Sequence, residues 1–201
     1  MSFDFVRPSK DDIRELPSFD GLDLQAITVV TNEAELAMAA ESLRVNKHVG
    51  FDTESKPTFA KGEKSQGPHV IQIAVADHAW LFTAHFMPGV ELALSVLQDA
   101  SVKKYGFGLI GDNKLFRKKY GIEAVEMVDL AKVLKQAAGI KNDVGARAAV
   151  AMLFQQRLTK SAQRSNWSKY PLTKQQIRYA ANDAYAGFCV AQKLMALGVL
   201  E

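Results

Sequence analysis

The sequence predicts an α/β fold, a sheet with helices packed on it. Two features carry this expectation. Short apolar runs bounded by turn residues cluster in the first half, while runs with helical spacing dominate the second. In the middle of the chain the two kinds alternate, as strand–helix units do. The composition agrees. With 201 residues, 48% hydrophobic and 23% charged, the chain can bury one sizeable core, and disordered and fibrous classes are excluded.

Each element has its own justification. Residues 1–25 are mixed polar and contain Pro8, Pro17 and Gly21, so they read as an irregular N-terminal extension to a domain over residues 26–201. Residues 26–30 form a short apolar strand. Asn32 and Glu35 have capping-box spacing, and Leu36, Ala39, Ala40 and Leu43 then line one helical face. Residues 48–52 read as a strand that ends in carboxylates. Residues 55–68, with Pro57, Gly62, Gly67 and Pro68, read as a loop. Two strands over 70–76 and 79–82, turned at Asp77-His78, suggest a hairpin. Residues 92–97 are helical, 103–107 form a short strand, and 108–111 open a helix running to Tyr120. Further helices follow over 130–138, over 143–154 with Asp143 as N-cap, and over 173–197, where Thr173 and Gln176 form a second capping box.

Charge is uneven along the chain. Residues 1–100 carry 8 basic and 15 acidic side chains, and residues 101–201 carry 17 basic and 7 acidic. The basic half suggests either a polyanionic partner, most simply nucleic acid, or a lysine-rich solvated surface. The single cysteine, Cys189, excludes an internal disulfide framework and a multi-cysteine zinc site, and its apolar helical setting reads as a buried structural thiol. The N-terminus lacks an apolar secretion signal. No apolar run approaches the roughly 20 residues that cross a bilayer. A soluble cytoplasmic protein without a membrane partner is expected.

Several acidic residues stand where structure alone does not require them. Asp52 and Glu54 flank Thr53 at a strand end, so both project to one face. Like charges held this close suit either a solvated strand end or a divalent cation. Asp112 follows Gly106, Gly108 and Gly111 at a helix start. These glycines lack dinucleotide and P-loop spacing, so a nucleotide triphosphate site is rejected. Tyr179 and Asp183, four apart on a helix, share a face whose neighbouring alanines allow close packing on the sheet. Alone, each feature has a plain structural reading. Together, four carboxylates without a histidine or cysteine favour oxygen-preferring Mg²⁺ or Mn²⁺, and the recurrent chemistry is two-metal phosphodiester hydrolysis. His48 precedes Asp52 by four residues but lies on a strand, and reads as structural.

These motifs resemble the DEDD superfamily of 3'–5' exonucleases, in the branch with tyrosine in the last motif (DEDDy), which holds Werner-type and ribonuclease D-like domains. The likeness covers residues 49–190. It rests on Gly50-Phe51-Asp52-Thr53-Glu54, on Gly106-Phe107-Gly108 through Asp112, and on two C-terminal blocks. These are Ser165-Asn166-Trp167-Ser168-Lys169-Tyr170-Pro171-Leu172-Thr173 and Tyr179-Ala180-Ala181-Asn182-Asp183.

The resemblance implies a ribonuclease H-like fold with a mixed five-stranded sheet flanked by helices. It implies catalytic roles for Asp52, Glu54, Asp112, Tyr179 and Asp183, with the four carboxylates holding two divalent cations and Tyr179 aligning the attacking water. It implies release of nucleoside 5'-monophosphates from the 3' end of DNA. The ribonuclease D relatives suggest RNA as the alternative, and a catalytically silent nucleic-acid-binding module is a third reading. A helicase or repair partner is expected to supply unwinding. Werner-type domains often carry an aromatic residue at the position of Lys114, so no end-fraying role is carried over.

Substrate contacts are expected from Phe59, Gln72, Lys114, Trp167 and Lys169. Phe59 either stacks on a terminal base or packs its loop. Gln72 either faces the substrate or satisfies a core hydrogen bond. Trp167 is a core or lid anchor, and Lys169 reaches a phosphate. Lys114, Arg117, Lys118 and Lys119 beside Asp112, with residues 164–178, predict a basic rim around an acidic centre.

Overall fold

The computed structural model describes residues 5–58, 66–159 and 161–201, and Phe59 lies outside these. Its strands are β1 (Ile27–Val30), β2 (His48–Glu54), β3 (Val70–Ala74), β4 (Ala79–Thr83), β5 (Lys103–Gly106) and β6 (Met127–Asp129). Its helices are α1 (Lys10–Glu15), α2 (Glu33–Val45), α3 (Met87–Gln98), α4 (Ile110–Tyr120), α5 (Leu130–Ala137), α6 (Ala146–Phe154) and α7 (Lys174–Ala196). The strands form one sheet in the order β1-β4-β3-β2-β5-β6. β3 is antiparallel to both β2 and β4, and the other pairings are parallel.

The α/β class and the mixed sheet flanked by helices are as expected. The sheet has six strands rather than five, because β6 adds to the edge by pairing with β5 from Lys104↔Met127 to Gly106↔Asp129. Three residues are too few to show a period, so no sequence pattern announces this strand.

The alternation of β2 sorts its side chains between two layers. Phe51 enters the core beneath α2 and α3 with Ile71, Ile73, Phe82 and Leu97. Gly50, Asp52 and Glu54 face the other way, toward α7. β3 and β4 are buried along their whole length, so they read as continuous apolar runs rather than alternating ones. Gln72 is the polar exception in β3. α7 lies across β1 through β5 and packs most extensively on β2. Its N-terminus is fixed by the expected capping box, in which Gln176 N donates to Thr173 Oγ1 (3.2 Å) and Thr173 N to Gln176 Oε1 (3.0 Å).

Some boundaries differ from the sequence reading. α3 starts at Met87, with Pro88 in its first turn, where the missing N–H of proline is not needed. α6 is capped by the Gly145 backbone without a side-chain bond, and Asp143 instead pairs with Lys135 at 3.2 Å. Cys189 is only half-buried. His48 is structural, its Nδ1 lying 2.9 Å from the Tyr105 hydroxyl.

Residues 5–25 hold more regular structure than the irregular extension expected. Ser9 and Asp12 form a capping box that starts α1, and Ile13 is buried. Pro17 O accepts from Arg157 N (2.7 Å), Phe19 N donates to Arg157 O (3.1 Å), and Leu22 N donates to Asn182 Oδ1 (2.8 Å). This stretch is therefore stitched to the segment after α6 and to α7.

Candidate active site

Backbone contact is what makes the site. A Cβ on Gly50 would fall 2.0 Å from the Ala184 carbonyl oxygen, and one on Gly187 would fall 2.8 Å from that of Tyr105. Ala180, Ala181 and Ala184 are fully buried on the same helical face. With no bulk on either side, α7 settles directly on β2 and β5. Asp183 thereby descends onto the end of β2. One carboxylate oxygen each from Asp52, Glu54 and Asp183 lie within 4.8 Å of one another.

Asp112 approaches from the opposite side of β2. Thr53, between the two acids, alternates away from them, and its hydroxyl donates a hydrogen bond to Asp112. α4 is held there by Phe116, whose ring packs on Phe51 at 6.0 Å. Asp112 stands outside the trio, yet its charge reaches Asp52 and Glu54. Two of the glycines before it are structural: a Cβ on Gly106 would fall 2.4 Å from Phe51 O, and Gly108 turns at φ +72. There Gly108 N donates to Asp129 Oδ1 (3.1 Å).

The electrostatics follow from burial and crowding. Glu54 is 9% exposed. Burial, then the charges of Asp183 and Asp112, push its carboxyl up to about 8. Asp52 is raised well above the usual carboxylate range, first by burial, then by Asp183, Asp112 and Glu54. Asp112 is raised by burial, partly offset by the Thr53 hydrogen bond. The Tyr179 hydroxyl hydrogen-bonds Asp183, and burial with the surrounding carboxylates holds its proton on more tightly than usual. The Tyr179 ring is backed by Trp167, 6.0 Å away and tilted by 40°. These shifts describe a site short of positive charge. Such a donor set, all oxygen, fits divalent Mg²⁺ or Mn²⁺, which relieves the repulsion directly.

A cleft of about 350 Å³ opens over this centre, lined by Phe51, Asp52, Tyr179 and Asp183, and also by Phe107, Gln163 and Arg147. Arg7 and Lys10 of the N-terminal segment line it too. The expected substrate residues are spread more widely. Gln72 is fully buried opposite Asp52 in the ladder; its Nε2 donates to Val70 O (3.4 Å) and its Oε1 has no hydrogen-bond partner. Trp167 is 2% exposed behind Tyr179. Lys114 and Lys169 are exposed, and among the described residues neither lines the cleft. Arg117, Lys118 and Lys119 fall in the last turn of α4 rather than at its start beside Asp112; there Arg117 pairs with Glu123 and Lys119 donates to Pro68 O (2.6 Å).

Among the described residues, the cations that line the cleft are thus Arg7, Lys10 and Arg147. Lys174 and Arg178 line an adjoining cavity of about 540 Å³ that shares Tyr179. Sequence reasoning missed Arg7, Lys10, Phe107, Arg147 and Gln163. Only Phe107, between two glycines of a quoted motif, carried a local signal.

Comparison with known proteins extends this picture. Mouse bifunctional 3'-5' exonuclease/ATP-dependent helicase WRN is 34% identical over 154 residues, covering 75% of this chain and 11% of the mouse protein. A 3'-5' exonuclease of Arabidopsis thaliana is 33% identical over 144 residues, covering 70% of this chain and 50% of its own. Ribonuclease D of Granulibacter bethesdensis is 30% identical over 160 residues, covering 78% and 39%. The chain therefore spans half or less of the length of each of these relatives.

Among solved structures, the Nibbler EXO domain of Aedes aegypti matches with a TM-score of 0.72 at 21% identity, over 88% of this chain and 92% of that one. Escherichia coli RNase D matches with a TM-score of 0.70 at 24% identity, over 85% and 44%. Both share the ribonuclease H-like fold. The DNA_pol_A_exo1 family, described as a 3'-5' exonuclease, matches residues 27–198, so β1 through α7 fall within the match, and the chain belongs to this 3'–5' exonuclease family.

Proposed function

We propose that this chain is a divalent-metal-dependent 3'–5' exonuclease of the tyrosine branch that shortens DNA and releases nucleoside 5'-monophosphates. The observation that carries the reading is the convergence of Asp52, Glu54 and Asp183 within 4.8 Å, beside a Tyr179 hydroxyl bonded to Asp183. DNA is preferred because the C-terminal motifs are Werner-type and the helicase-fused mouse exonuclease shares 34% identity. RNA is the second reading, favoured by the ribonuclease D relatives. A helicase or repair partner fits the mouse relative, whose name joins the two activities. Residues 26–201 would form the exonuclease domain and residues 1–25 its extension. A cytoplasmic location rests on the sequence reading alone.

Asp52, Glu54 and Asp183 would hold one ion, and Asp52 with Asp112 the second. When bound, such ions ionise water near neutral pH and offset charge on the phosphate. The protein's own groups position the reactants. The Tyr179 hydroxyl keeps its proton, donated to Asp183, so its lone pairs accept a hydrogen bond from the attacking water. Attack at phosphorus then breaks the bond to the 3' oxygen of the preceding nucleotide. Trp167 keeps the Tyr179 ring in place, and Gln72 lies opposite Asp52 on the neighbouring strand. Exposed Lys114 and Lys169 would meet phosphates farther along the strand.

The test uses 5'-labelled single-stranded DNA, recessed-end duplex and matching RNA, each with Mg²⁺, Mn²⁺ or EDTA. A metal-dependent ladder shortening from the 3' end, abolished in Asp52→Ala and Asp183→Ala, is expected. Equal degradation by these variants refutes the site. Cleavage of RNA but not DNA favours the ribonuclease reading, and no cleavage with any metal favours a silent binding module.

A further inference from the structure

The described N-terminal segment, residues 5–25, lies outside the family match, which begins at residue 27. It is nonetheless built into the catalytic cleft. Ile13, 7% exposed, lines the cleft wall beside Ala148 and Leu158. Behind it the backbone is held by a series of hydrogen bonds. Arg157 Nη1 donates to Arg14 O (2.8 Å), Arg157 N to Pro17 O (2.7 Å), and Leu22 N to Asn182 Oδ1 (2.8 Å). Asn182 is the neighbour of Asp183, and Gly21 sits so close that a Cβ would fall 2.2 Å from the Asn182 side chain. The segment is therefore docked against the helix that supplies the site.

Its charges are sorted. Asp11 pairs with Arg14 at 2.7 Å, and Asp12 accepts from Ser9 N at 3.0 Å in the capping box. Asp11 and Asp12 are thus engaged within the segment, Asp20 accepts from Gln156 Nε2 (2.7 Å), and neither Glu15 nor Asp23 lines the cleft. Arg7 and Lys10, in contrast, line the cleft. The cleft floor is acidic, so cations on its wall offset the repulsion that a strand of phosphates would meet on entering. Backbone-phosphate contacts set the register of a strand and carry most of its salt-dependent affinity.

We propose that the N-terminal segment is a phosphate-binding wall of the catalytic cleft, with Arg7 and Lys10 contacting the backbone of a single-stranded 3' end. The proposal rests on the nuclease reading of the site and deepens it. Arg7 and Lys10 are substrate-binding residues that touch the strand upstream of the scissile bond.

The experiment compares wild type, the double variant Arg7→Ala/Lys10→Ala and the charge-keeping double variant Arg7→Lys/Lys10→Arg, all as the full chain. Kd for a fluorescein-labelled deoxythymidine octamer is measured by anisotropy in Ca²⁺ across 50–200 mM salt. Steady-state kinetics with Mg²⁺ follow on a dinucleotide and on the octamer. The alanine variant is expected to raise Kd and KM for the octamer roughly five- to tenfold at low salt and to make the log–log salt slope shallower by about 1.4, that is about 0.7 per phosphate contact. The loss should be larger on the octamer than on the dinucleotide, and the charge-keeping variant should restore it.

An unchanged Kd and salt slope overturn the proposal, as does an equal loss on both substrates, which would mark the segment as a brace for the fold. If wild type cleaves nothing, the nuclease reading fails by itself, and the anisotropy arm still decides whether Arg7 and Lys10 bind the strand.

Discussion

Removing divalent metal should make this protein lose stability as pH rises, in the range where most proteins are steady. The cause is Glu54. Its carboxyl ordinarily ionises near 4.5, and in the folded site it is pushed up to about 8. Below pH 4.5 the group is protonated in both folded and unfolded chains, and no penalty applies. Between those values the unfolded chain gives up its proton while the folded one keeps it. The native state then binds more protons, and stability falls with pH at about 1.4 kcal/mol per pH unit for this one group. By pH 8 the loss reaches about 5 kcal/mol.

Asp52 and Asp112 are raised too and act in the same direction. His69 and His78, lowered by burial, act the other way near pH 6. In a chain of this size about 1 kcal/mol moves Tm by roughly 2–4 °C, so the loss of about 4 kcal/mol between pH 5 and pH 8 predicts a fall of about 8–16 °C in EDTA. Differential scanning fluorimetry across pH, with EDTA and with saturating Mn²⁺, makes the measurement. Mn²⁺ should flatten most of the slope, and Glu54→Gln in EDTA should remove the part that Glu54 contributes, leaving that of Asp52 and Asp112. A Tm in EDTA that is flat or rising from pH 5 to 8, or a Glu54→Gln slope equal to wild type, would refute the reasoning.

Three other perturbations probe the geometry. Gly50→Ala places a Cβ 2.0 Å from the Ala184 carbonyl; overpacking of this kind costs about 1–3 kcal/mol. Activity should fall further than that figure suggests, because α7 carries Asp183 away from Asp52, and wild-type activity with wild-type Tm would count against the close approach. Tyr179→Phe should lower kcat about 100-fold with little change in KM, as expected when a reactant loses its alignment; a change confined to KM contradicts the water-aligning role. Thr53→Val removes the hydroxyl that Asp112 accepts. A buried carboxylate left without that bond costs about 1–3 kcal/mol, and Mn²⁺ affinity by calorimetry should drop, whereas unchanged affinity would detach Asp112 from metal binding.

The parts of the site that follow a short period were legible in the sequence. Asp52 and Glu54 share a face because strands alternate, and Tyr179 and Asp183 because helices return after four residues. The capping box at Thr173 and Gln176 marks where the second of these begins. The parts set by long-range packing were not legible. Arg7 and Lys10 reach the cleft only because residues 14–22 dock on Arg157 and Asn182, pairings that no local pattern encodes. β6 has no period to read, and Asp143 offered a capping side chain that Lys135 takes instead. Nor did the basic run at Lys114–Lys119 reveal that two of its cations, in the last turn of α4, are engaged by Glu123 and Pro68.

The close seating of α7 on β2 also has a bearing on timing. Asp52 and Glu54 leave the ribosome long before Asp183, and domains are made N-terminal part first. Until α7 is synthesised and seated against Gly50, the chain carries only two of the three clustered acids and lacks Tyr179. On the proposed site, a growing chain would therefore lack its catalytic constellation beside the nucleic acids that surround its synthesis, and would complete it only when α7 seats.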